Sequence, residues 1–415
     1  MGHKKLITTN PSKQYPDFLS QVAKKVLQKS QKPRPTIINM ATNNAKEKLE
    51  KLINKENVTE IIDNYGEQYA ELLLSKNAHL YRANYDVQTA SLEKLLKKHY
   101  GRKKSWEMGS WVYYPWSSNM VHVLSQNDFE DLRTIRNRDL ITKIEQTILF
   151  DFNVACFGMS VGSASAQALA ITGVSRRIKL IDGATISGSN LNRILTGVTS
   201  VGKGKAQVIS EQIYEMNPYS DVECFDKVTR ENISDIFDKP WPVNLVIDEI
   251  DDIEMKVHIR VEAKKRHIPV LMATEIGDTI ILDVERFDLD PNRPLFHGKV
   301  TGIEKLIETK ISNYREWTKY AVNIIDPRNM SIKMQKSLLK IGTDIVTHPQ
   351  LGSTVMMTGG VLAFAVKNIA LKKSLNSGRY IISLERHMLA KHQTRNYKRR
   401  HKKHTKIIRA SVNSM

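Results

Sequence analysis

The fold of this chain is decided by residues 154–173, which read VACFGMSVGSASAQALAITG. The apolar start predicts a short strand, the small residues of GMSVG predict a turn, and the alanine-rich remainder predicts a helix that ends at Gly173. A second apolar run, Ile178–Ile181, predicts the next strand, and Asp182 follows it directly. Together these segments indicate a strand–loop–helix–strand unit of an α/β nucleotide-binding domain.

The loop GMSVG supplies Gly158, Ser160 and Gly162 as candidate phosphate-binding residues, because backbone N–H groups at a helix N-terminus attract anions. Asp182 lies 24 positions after Gly158, a spacing that suits a carboxylate within reach of a ribose hydroxyl. The loop has Ser160 where the dinucleotide fingerprint GxGxxG has its middle glycine, and its spacing is one residue shorter. Taken alone, it therefore fits a phosphate loop and a plain strand–helix turn equally well.

Two cationic residues follow the second strand, Arg193 in the segment SNLNR at 189–193 and Lys205 further along the chain. A guanidinium and an ammonium suit a triphosphate, whose charge must be neutralised while phosphorus is attacked. They have little purpose beside an uncharged nicotinamide ring. The pattern favours ATP, and a nicotinamide dehydrogenase is kept as an alternative that NADH binding would support.

The order of these motifs resembles that of the ThiF/MoeB/HesA adenylyltransferases, the group that also contains the ubiquitin-activating enzymes. The resemblance extends from about Arg133 to about Leu384. It implies an α/β fold with a Rossmann-like, mostly parallel sheet and an antiparallel extension. The segments that carry it after the glycine loop are LID at 180–182, SNLNR at 189–193, GKGK at 202–205 and LVIDEIDD at 245–252.

The same resemblance implies ATP and Mg²⁺ as the bound groups and gives the candidate site residues their roles. Asp182 would hold the ATP ribose, and Asp251 would carry Mg²⁺. The phosphates would be bound by Asn190, Arg193 and Lys205. In this interpretation Arg193, Lys205 and Asp251 are the main catalytic residues of this subunit.

Arg136 is a further candidate catalytic residue. It belongs to the segment RTIRN at 133–137, which matches an arginine-rich segment of the family ahead of the first strand. In family dimers that segment reaches into the neighbouring subunit's active site. The resemblance therefore implies a homodimer in which Arg136 contacts the terminal phosphates in trans, while a solvated helix face is the alternative for this charged segment.

The activity that the resemblance implies is ATP-dependent activation of a carboxylate as an acyl-adenylate, with release of pyrophosphate. The carboxylate would belong to a ubiquitin-like or peptide C-terminus or to a small acid. Cys156 and Cys224 lie in strand-like runs, and no cysteine follows Arg266, where thioester-forming relatives keep their nucleophile. A thioester on the enzyme's own sulfur is therefore not expected, and without a CxxC pair the structural zinc of many relatives is not expected either.

Two other functions stay open within this resemblance. A tRNA-modifying dehydratase that activates a carboxylate on a nucleoside would explain the basic chain ends. A non-catalytic ThiF-like scaffold would explain the shortened loop and Asp252, which stands where the family has an asparagine after the Mg²⁺ acid.

Two later segments add detail to the resemblance. WVYYPW at 111–116 and DVERFDLD at 283–290 resemble a bacterial ThiF-like subgroup, some members of which continue into a nitroreductase-like flavin domain. This chain ends in a basic tail instead, so no flavin is expected. Glu285, Arg286 and His297 are polar enough to line an acceptor site, and a surface strand and loop is the alternative.

Charge and patterning divide the chain into five parts. The first part is basic and predicted to be flexible, with eight Lys/Arg against one Asp, and the last is a basic tail with ten Lys/Arg and no acid. Between them, helical periodicity predicts a helical N-terminal region. The parts are the N-terminus 1–36, the helical region 37–108, an aromatic strand and Arg-rich helix at 109–150, the ThiF-like adenylation domain 151–385, and the tail 386–415.

The basic tail has two interpretations, contact with a polyanion such as RNA or a disordered solubilising extension. An anionic partner is expected to be needed before the tail becomes ordered. Neither a signal peptide nor an apolar run of about 18 residues is visible, so a soluble, cytoplasmic protein without membrane contact is expected.

Overall fold

A computed structural model describes residues 33–414, which fall into two units. The smaller unit comprises the described residues up to 143 together with 214–219, and the larger unit comprises 144–213 and 220–414. Most of the N-terminal segment predicted to be flexible, residues 1–32, lies outside the described residues.

The smaller unit combines four strands with four α-helices. The strands are β1 Thr36–Asn39, β2 Glu60–Asp63, β3 Ser110–Tyr114 and β4 Asn119–Val123. The helices are α1 Ala45–Lys55, α2 Tyr65–Lys76, α3 Tyr85–Tyr100 and α4 Gln126–Arg133. The strands form one sheet in the order β1-β3-β4-β2. The aromatic strand predicted from WVYYPW is confirmed as β3, which is buried over its whole length because aromatic and β-branched side chains pack well on a sheet.

Helices are present in the N-terminal region as predicted, but the region also contributes strands to this sheet. Ile61 and Ile62, which fall within the region predicted to be helical, lie in β2 and pair in parallel with Met120 and Val121 of β4. The helical interpretation of this short stretch was wrong. β-branched residues lose little by adopting an extended backbone, so pairing with a strand distant in the sequence decides their conformation.

The larger unit is organised around one seven-stranded sheet. Its strands are β5 Val154–Phe157, β6 Arg177–Ile181, β7 Asp221–Phe225, β8 Leu245–Asp248, β9 Val270–Glu275, β10 Thr279–Glu285 and β11 Gly378–Ser383. Their order is β11-β10-β9-β8-β5-β6-β7. Strands β5 to β9 pair in parallel with one another, whereas β10 and β11 pair antiparallel. The predicted Rossmann-like, mostly parallel sheet with an antiparallel extension is therefore confirmed.

The remaining helices are α5 Lys143–Phe150, α6 Gly162–Thr172, α7 Lys205–Met216, α8 Ile233–Asp238, α9 Ile253–Lys265, α10 Tyr314–Ile325, α11 Ile332–Leu338, α12 Gly352–Ala370, α13 Leu384–Met388 and α14 Arg395–Ser414. Small residues bring α12 close to α6, since a Cβ at Gly359 would lie 2.5 Å from the Ala164 carbonyl oxygen. Within the described residues, α12 is the one helix long and apolar enough to cross a membrane. Its apolar window is 56% buried, which accounts for it as a core helix.

The basic tail forms an ordered helix, α14, and the expectation that it needs an anionic partner to become ordered was wrong. Ile408 and Thr405 are buried against the rest of the larger unit. The His401 ring Nε2 donates to the Met330 carbonyl oxygen at 2.7 Å, and Arg409 binds the Asp326 carboxylate at 3.1 Å. One face of the helix is therefore held by packing, a hydrogen bond and the ion pair of Arg409, while its other lysines and arginines are exposed.

Candidate active site

The glycine loop lies where β5 ends, between the neighbouring strands β6 and β8. Gly158 has a φ of +89°, and a Cβ there would lie 2.5 Å from the Glu249 carbonyl oxygen, so only glycine fits. Gly162 begins α6, and the Ser163 hydroxyl donates to the Ser160 carbonyl oxygen at 2.8 Å. The structure confirms the predicted strand–turn–helix and places the N-terminus of α6 at this edge of the sheet.

Asp182 connects the second strand to the glycine loop. Its Oδ2 accepts a hydrogen bond from the Met159 backbone N–H, and its Oδ1 accepts one from the Ala184 N–H, both at 2.7 Å. The Lys205 Nζ lies 3.8 Å from Asp182 Oδ2. A carboxylate has roughly four lone-pair positions, so these two backbone donors leave acceptor capacity for the hydroxyls of a ligand.

Arg193 lies against the same loop. Its Nε donates to the Ser160 hydroxyl at 2.9 Å, and its Nη1 donates to the Ser189 carbonyl oxygen at 3.2 Å. Partial burial lowers the pKa of the guanidinium, and the nearby carboxylates of Asp251 and Glu275 oppose this shift. Arg193 is thus held in a fixed place between the glycine loop and the acidic residues that follow β8 and β9.

The Asn190 side chain is already engaged within its own turn. Its side-chain oxygen accepts a hydrogen bond from the Ser187 N–H at 3.0 Å, and the residue is buried. This bond closes the 3₁₀ turn Gly188–Asn192, which leads directly into Arg193. The visible contribution of Asn190 is therefore to shape the turn that presents the guanidinium.

Asp251 is exposed in the loop between β8 and α9, whereas its neighbour Asp252 caps α9 by accepting the Met255 N–H at 3.0 Å. Residues 33–414 contain no group of three or more His, Cys, Asp or Glu side chains placed to hold a metal ion. Mg²⁺ commonly takes only one or two carboxylates and completes its shell with phosphates and water. An accessible Asp251 near the Arg193 guanidinium fits that donor set.

The predicted site residues fall into two groups. The structure brings Gly158, Ser160, Gly162, Asp182, Arg193 and Lys205 together at the edge of the larger sheet. Arg136 belongs to the smaller unit, in the 3₁₀ turn Ile135–Asn137, and its side chain is exposed. Its role across a subunit interface stays a prediction.

Two glutamates were missed by the sequence analysis, Glu249 directly after β8 and Glu275 at the end of β9. The Glu249 carboxylate accepts the Ala273 N–H at 2.8 Å, and Glu275 accepts the Thr358 hydroxyl at 2.7 Å. Burial raises the pKa of Glu275 to about 7, and burial together with repulsion from Glu275 raises the pKa of Glu249 well above its usual range. Their positions after parallel strands were the available signal, because open α/β sheets bind ligands there.

The acceptor site predicted at Glu285, Arg286 and His297 is not formed. Glu285 is buried and binds the Arg260 guanidinium at 2.6 Å, while Arg286 pairs with Asp288 at 2.7 Å. These side chains are committed to ion pairs that hold β10 and its following loop. They are structural, but β10 is buried over its whole length and is not the surface strand of the alternative interpretation.

An open cavity of about 570 Å³ adjoins the candidate site. Val161, Asp251 and Glu275 line it together with residues of α10, α11 and α14. The cavity therefore reaches the end of the glycine loop, at Val161, within the larger unit.

Comparison with known proteins gives a family and several relatives. The model of the ThiF family matches residues 133–405. An uncharacterized protein of Mycobacterium tuberculosis is 34% identical over 274 residues, which cover 66% of this chain and 38% of that protein. The tRNA threonylcarbamoyladenosine dehydratase of Bacillus subtilis is 29% identical over 233 residues, covering 54% of this chain and 82% of the enzyme. This chain thus spans well under half of the mycobacterial relative.

Solved structures resemble the chain more distantly. A crystal structure of PaaA matches with a TM-score of 0.44 and 21% identity, covering 63% of this chain and 78% of that one. A crystal structure of Escherichia coli MccB with ATP matches with a TM-score of 0.40 and 18% identity, covering 58% and 63%.

Proposed function

The chain belongs to the ThiF family, and we propose that it activates a carboxylate with ATP, forming an acyl-adenylate and releasing pyrophosphate. The observation that carries this proposal is the anchoring of Arg193 on Ser160 of the glycine loop, at 2.9 Å. A fixed cation at a helix N-terminus, with Lys205 and Asp182 beside it, suits a nucleoside triphosphate better than any uncharged ligand.

Different site residues would bind different parts of the nucleotide. The ribose hydroxyls would donate to the Asp182 carboxylate, which keeps acceptor capacity beyond its two backbone N–H donors. The N–H groups of that loop, Arg193 and Lys205 would bind the phosphates. Asn190 would act through the turn that presents Arg193.

The chemistry is a displacement at the α-phosphorus of ATP. A carboxylate oxygen of the substrate forms a bond to this phosphorus, and the bond from phosphorus to the oxygen that bridges to the β-phosphate breaks. Pyrophosphate leaves with the electron pair of that bond. Arg193 and Lys205 would stabilise the charge that develops on the phosphate oxygens. Mg²⁺, when bound at Asp251, would neutralise further phosphate charge.

The acyl group would pass to an external nucleophile, because neither cysteine of this chain suits the role. Cys156 is buried within β5, and burial raises the pKa of its thiol. Burial also raises the pKa of Cys224, in β7, to about 11. Neither thiol is accessible and ionised, as a thioester-forming residue must be. This supports a reaction that ends at the acyl-adenylate on the enzyme.

ATP binding and adenylation test the proposal. Calorimetry should show Mg²⁺-dependent ATP binding, and Arg193→Ala should weaken it at least tenfold and abolish exchange of labelled pyrophosphate into ATP. The exposed Arg102, in the smaller unit, offers a matched control, since Arg102→Ala removes one guanidinium elsewhere and should leave both readings unchanged. Unchanged ATP affinity in Arg193→Ala would contradict the proposal.

A second candidate is a dehydratase that activates a carboxylate on tRNA. The relatives from Bacillus subtilis and Escherichia coli carry the name tRNA threonylcarbamoyladenosine dehydratase. The outward face of α14, whose eight Lys/Arg are all exposed, offers a surface for RNA phosphates. Tight, salt-sensitive tRNA binding would favour this candidate over a protein or small-acid substrate.

A homodimer completed by Arg136 in trans remains part of the proposal. The exposed position of Arg136 on a short 3₁₀ turn leaves its guanidinium accessible to a second subunit. A third cation near the terminal phosphates would add to the charge neutralisation that Arg193 and Lys205 provide.

A further inference from the structure

We propose that the cavity beside Asp251 is an acyl pocket, and that the acid activated by this chain carries a bulky aliphatic or aromatic group next to its carboxylate. The inference rests on the proposed function and specifies its substrate class. The cavity measures about 570 Å³, within the range of sites that enclose small ligands.

The walls of the cavity are mostly hydrocarbon. Side chains from β9, the following turn and the helices α10, α11 and α14 surround the space, and apolar surface exceeds polar surface although Asp251, Lys256 and Glu275 also line it. The apolar lining includes Met272, Ile276, Ala321, Ile325, Met334 and Leu338. Such walls favour a ligand that buries apolar surface and disfavour an acid whose substituents are polar.

The position of the cavity links it to the phosphate site. Val161, the last residue before α6, lines the cavity, and so does Asp251. Arg193 is electrostatically coupled to Asp251 and Glu275, which both face this space. A carboxylate placed beside Arg193 for attack on phosphorus would therefore have its adjoining substituent directed into the apolar region.

One wall lies beyond the residues that match the family model. Ile408, Ser411 and Val412 of α14 line the cavity, and they follow residue 405, where the match to the family model ends. The contacts of His401 with Met330 and of Arg409 with Asp326 hold this wall in place. Because α14 closes one side of this apolar space, the pocket is large enough for a bulky side chain. A substrate that ends in glycine would leave most of it unfilled.

The experiment compares acids that differ in side chain alone. Pyrophosphate exchange is measured with leucine, phenylalanine and glycine, and with short peptides that end in Leu, Phe or Gly-Gly. Acids or peptides with the bulky residue should give at least tenfold higher kcat/KM than their glycine counterparts. The two arms also distinguish a free acid from a peptide terminus. Preference for glycine or Gly-Gly, or no exchange with any bulky acid while ATP binds, would overturn the inference.

Filling the pocket provides the second test. Ser411→Trp should raise KM for the bulky acid at least tenfold without changing ATP affinity, and Ala410→Trp, on the exposed side of the same helix, should change neither. Ala321→Phe fills the same space from α10 and replaces Ser411→Trp as the test if that variant does not fold. Equal KM values in the folded filling variants and in the control would contradict the pocket assignment.

A measurement without nucleotide separates this inference from the proposed function. Thermal shifts with the apolar acids alone report on the cavity, and ATP calorimetry reports on the phosphate site. Stabilisation by leucine or phenylalanine derivatives that Ser411→Trp removes would support the pocket even if ATP failed to bind. ATP binding without any such stabilisation would leave the phosphate site intact and exclude the acyl pocket.

Discussion

The Arg193 guanidinium is hydrogen-bonded to the hydroxyl of Ser160, with 2.9 Å between Nε and Oγ. This bond joins the SNLNR segment to the glycine loop, two parts of the chain separated by a helix and a strand. Ser160 stands where a dinucleotide fingerprint has a glycine, and the structure gives that substitution a physical reason. The Ser160 hydroxyl orients the Arg193 guanidinium.

Ser160→Ala should therefore lower kcat/KM for pyrophosphate exchange by about tenfold, because a hydrogen bond to a charged group contributes roughly 1.5–3 kcal/mol. Ser189→Ala is the control, since among the described residues the exposed Ser189 hydroxyl hydrogen-bonds only to the half-buried Ser187 hydroxyl, at 3.1 Å. If the two variants have the same activity, the Ser160 contact does not orient the guanidinium for catalysis.

Asp182→Asn should weaken ATP binding by about tenfold or more and lower the melting temperature. The carboxylate accepts two backbone N–H groups, whereas an amide has one acceptor oxygen and would turn its NH₂ toward the other donor. Asp226 follows β7 as Asp182 follows β6, and it is exposed, so Asp226→Asn is a matched control. Calorimetry with ATP would decide, and equal affinities in both variants would exclude a ribose role.

Mixing two inactive variants tests the shared active site. Arg136→Ala and Arg193→Ala proteins, unfolded and refolded together, should regain about a quarter of wild-type exchange activity. Half of the randomly assembled dimers would be mixed, and each of these would contain one intact site. Continued inactivity of a mixture in which dimers are demonstrated by sedimentation would show that Arg136 does not act in trans.

The buried Glu275 should make stability decrease as pH rises from about 4.5 to about 7. Its pKa is raised by burial to about 7 in the folded protein, so the unfolded chain releases this proton first. The penalty is absent below the unfolded pKa and reaches up to about 3 kcal/mol above the folded pKa. Glu275→Gln keeps an acceptor for the Thr358 hydroxyl and should flatten this part of the profile. Parallel urea-unfolding profiles of wild type and variant across these pH values would refute the assignment.

The outward face of α14 should govern any RNA binding. Replacing Lys398, Arg399, Lys402 and Lys403 by Gln should weaken tRNA binding and reduce the slope of log K against log salt by about 3. All four side chains are exposed, so the fold should be retained. Removing four lysines or arginines from the smaller unit is the control. A slope that does not change would place RNA contact elsewhere or exclude it.

The parts of the fold that the sequence predicts best depend on neighbours in the chain. The unit β5–α6–β6 is recognisable because its strand, glycine turn and alanine-rich helix are each specified locally. The positions of Asp182 and Arg193 beside the loop follow from that order and from the resemblance. These are short-range relations, and a single sequence carries them.

Relations between distant segments could not be predicted in the same way. Ile61 and Ile62 form a strand because β4 pairs with them, and the tail is ordered because Met330 and Asp326 bind it. The amphipathic pattern of α14 is present in the sequence, but its eight lysines and arginines obscure an inner face with little hydrocarbon beyond Ile408 and Val412. Glu249 and Glu275 were overlooked because their proximity depends on the order of strands in the sheet.

Gly158 brings the glycine loop after β5 into close contact with the segment that follows β8. Any side chain there would push against the Glu249 carbonyl, and the segment that starts at Glu249 leads within two residues to Asp251. An alanine at this position would thus shift the glycine loop, proposed to bind phosphate, together with Asp251, proposed to hold Mg²⁺. A substitution at this close backbone contact would therefore alter the positions of the glycine loop and of Asp251 together.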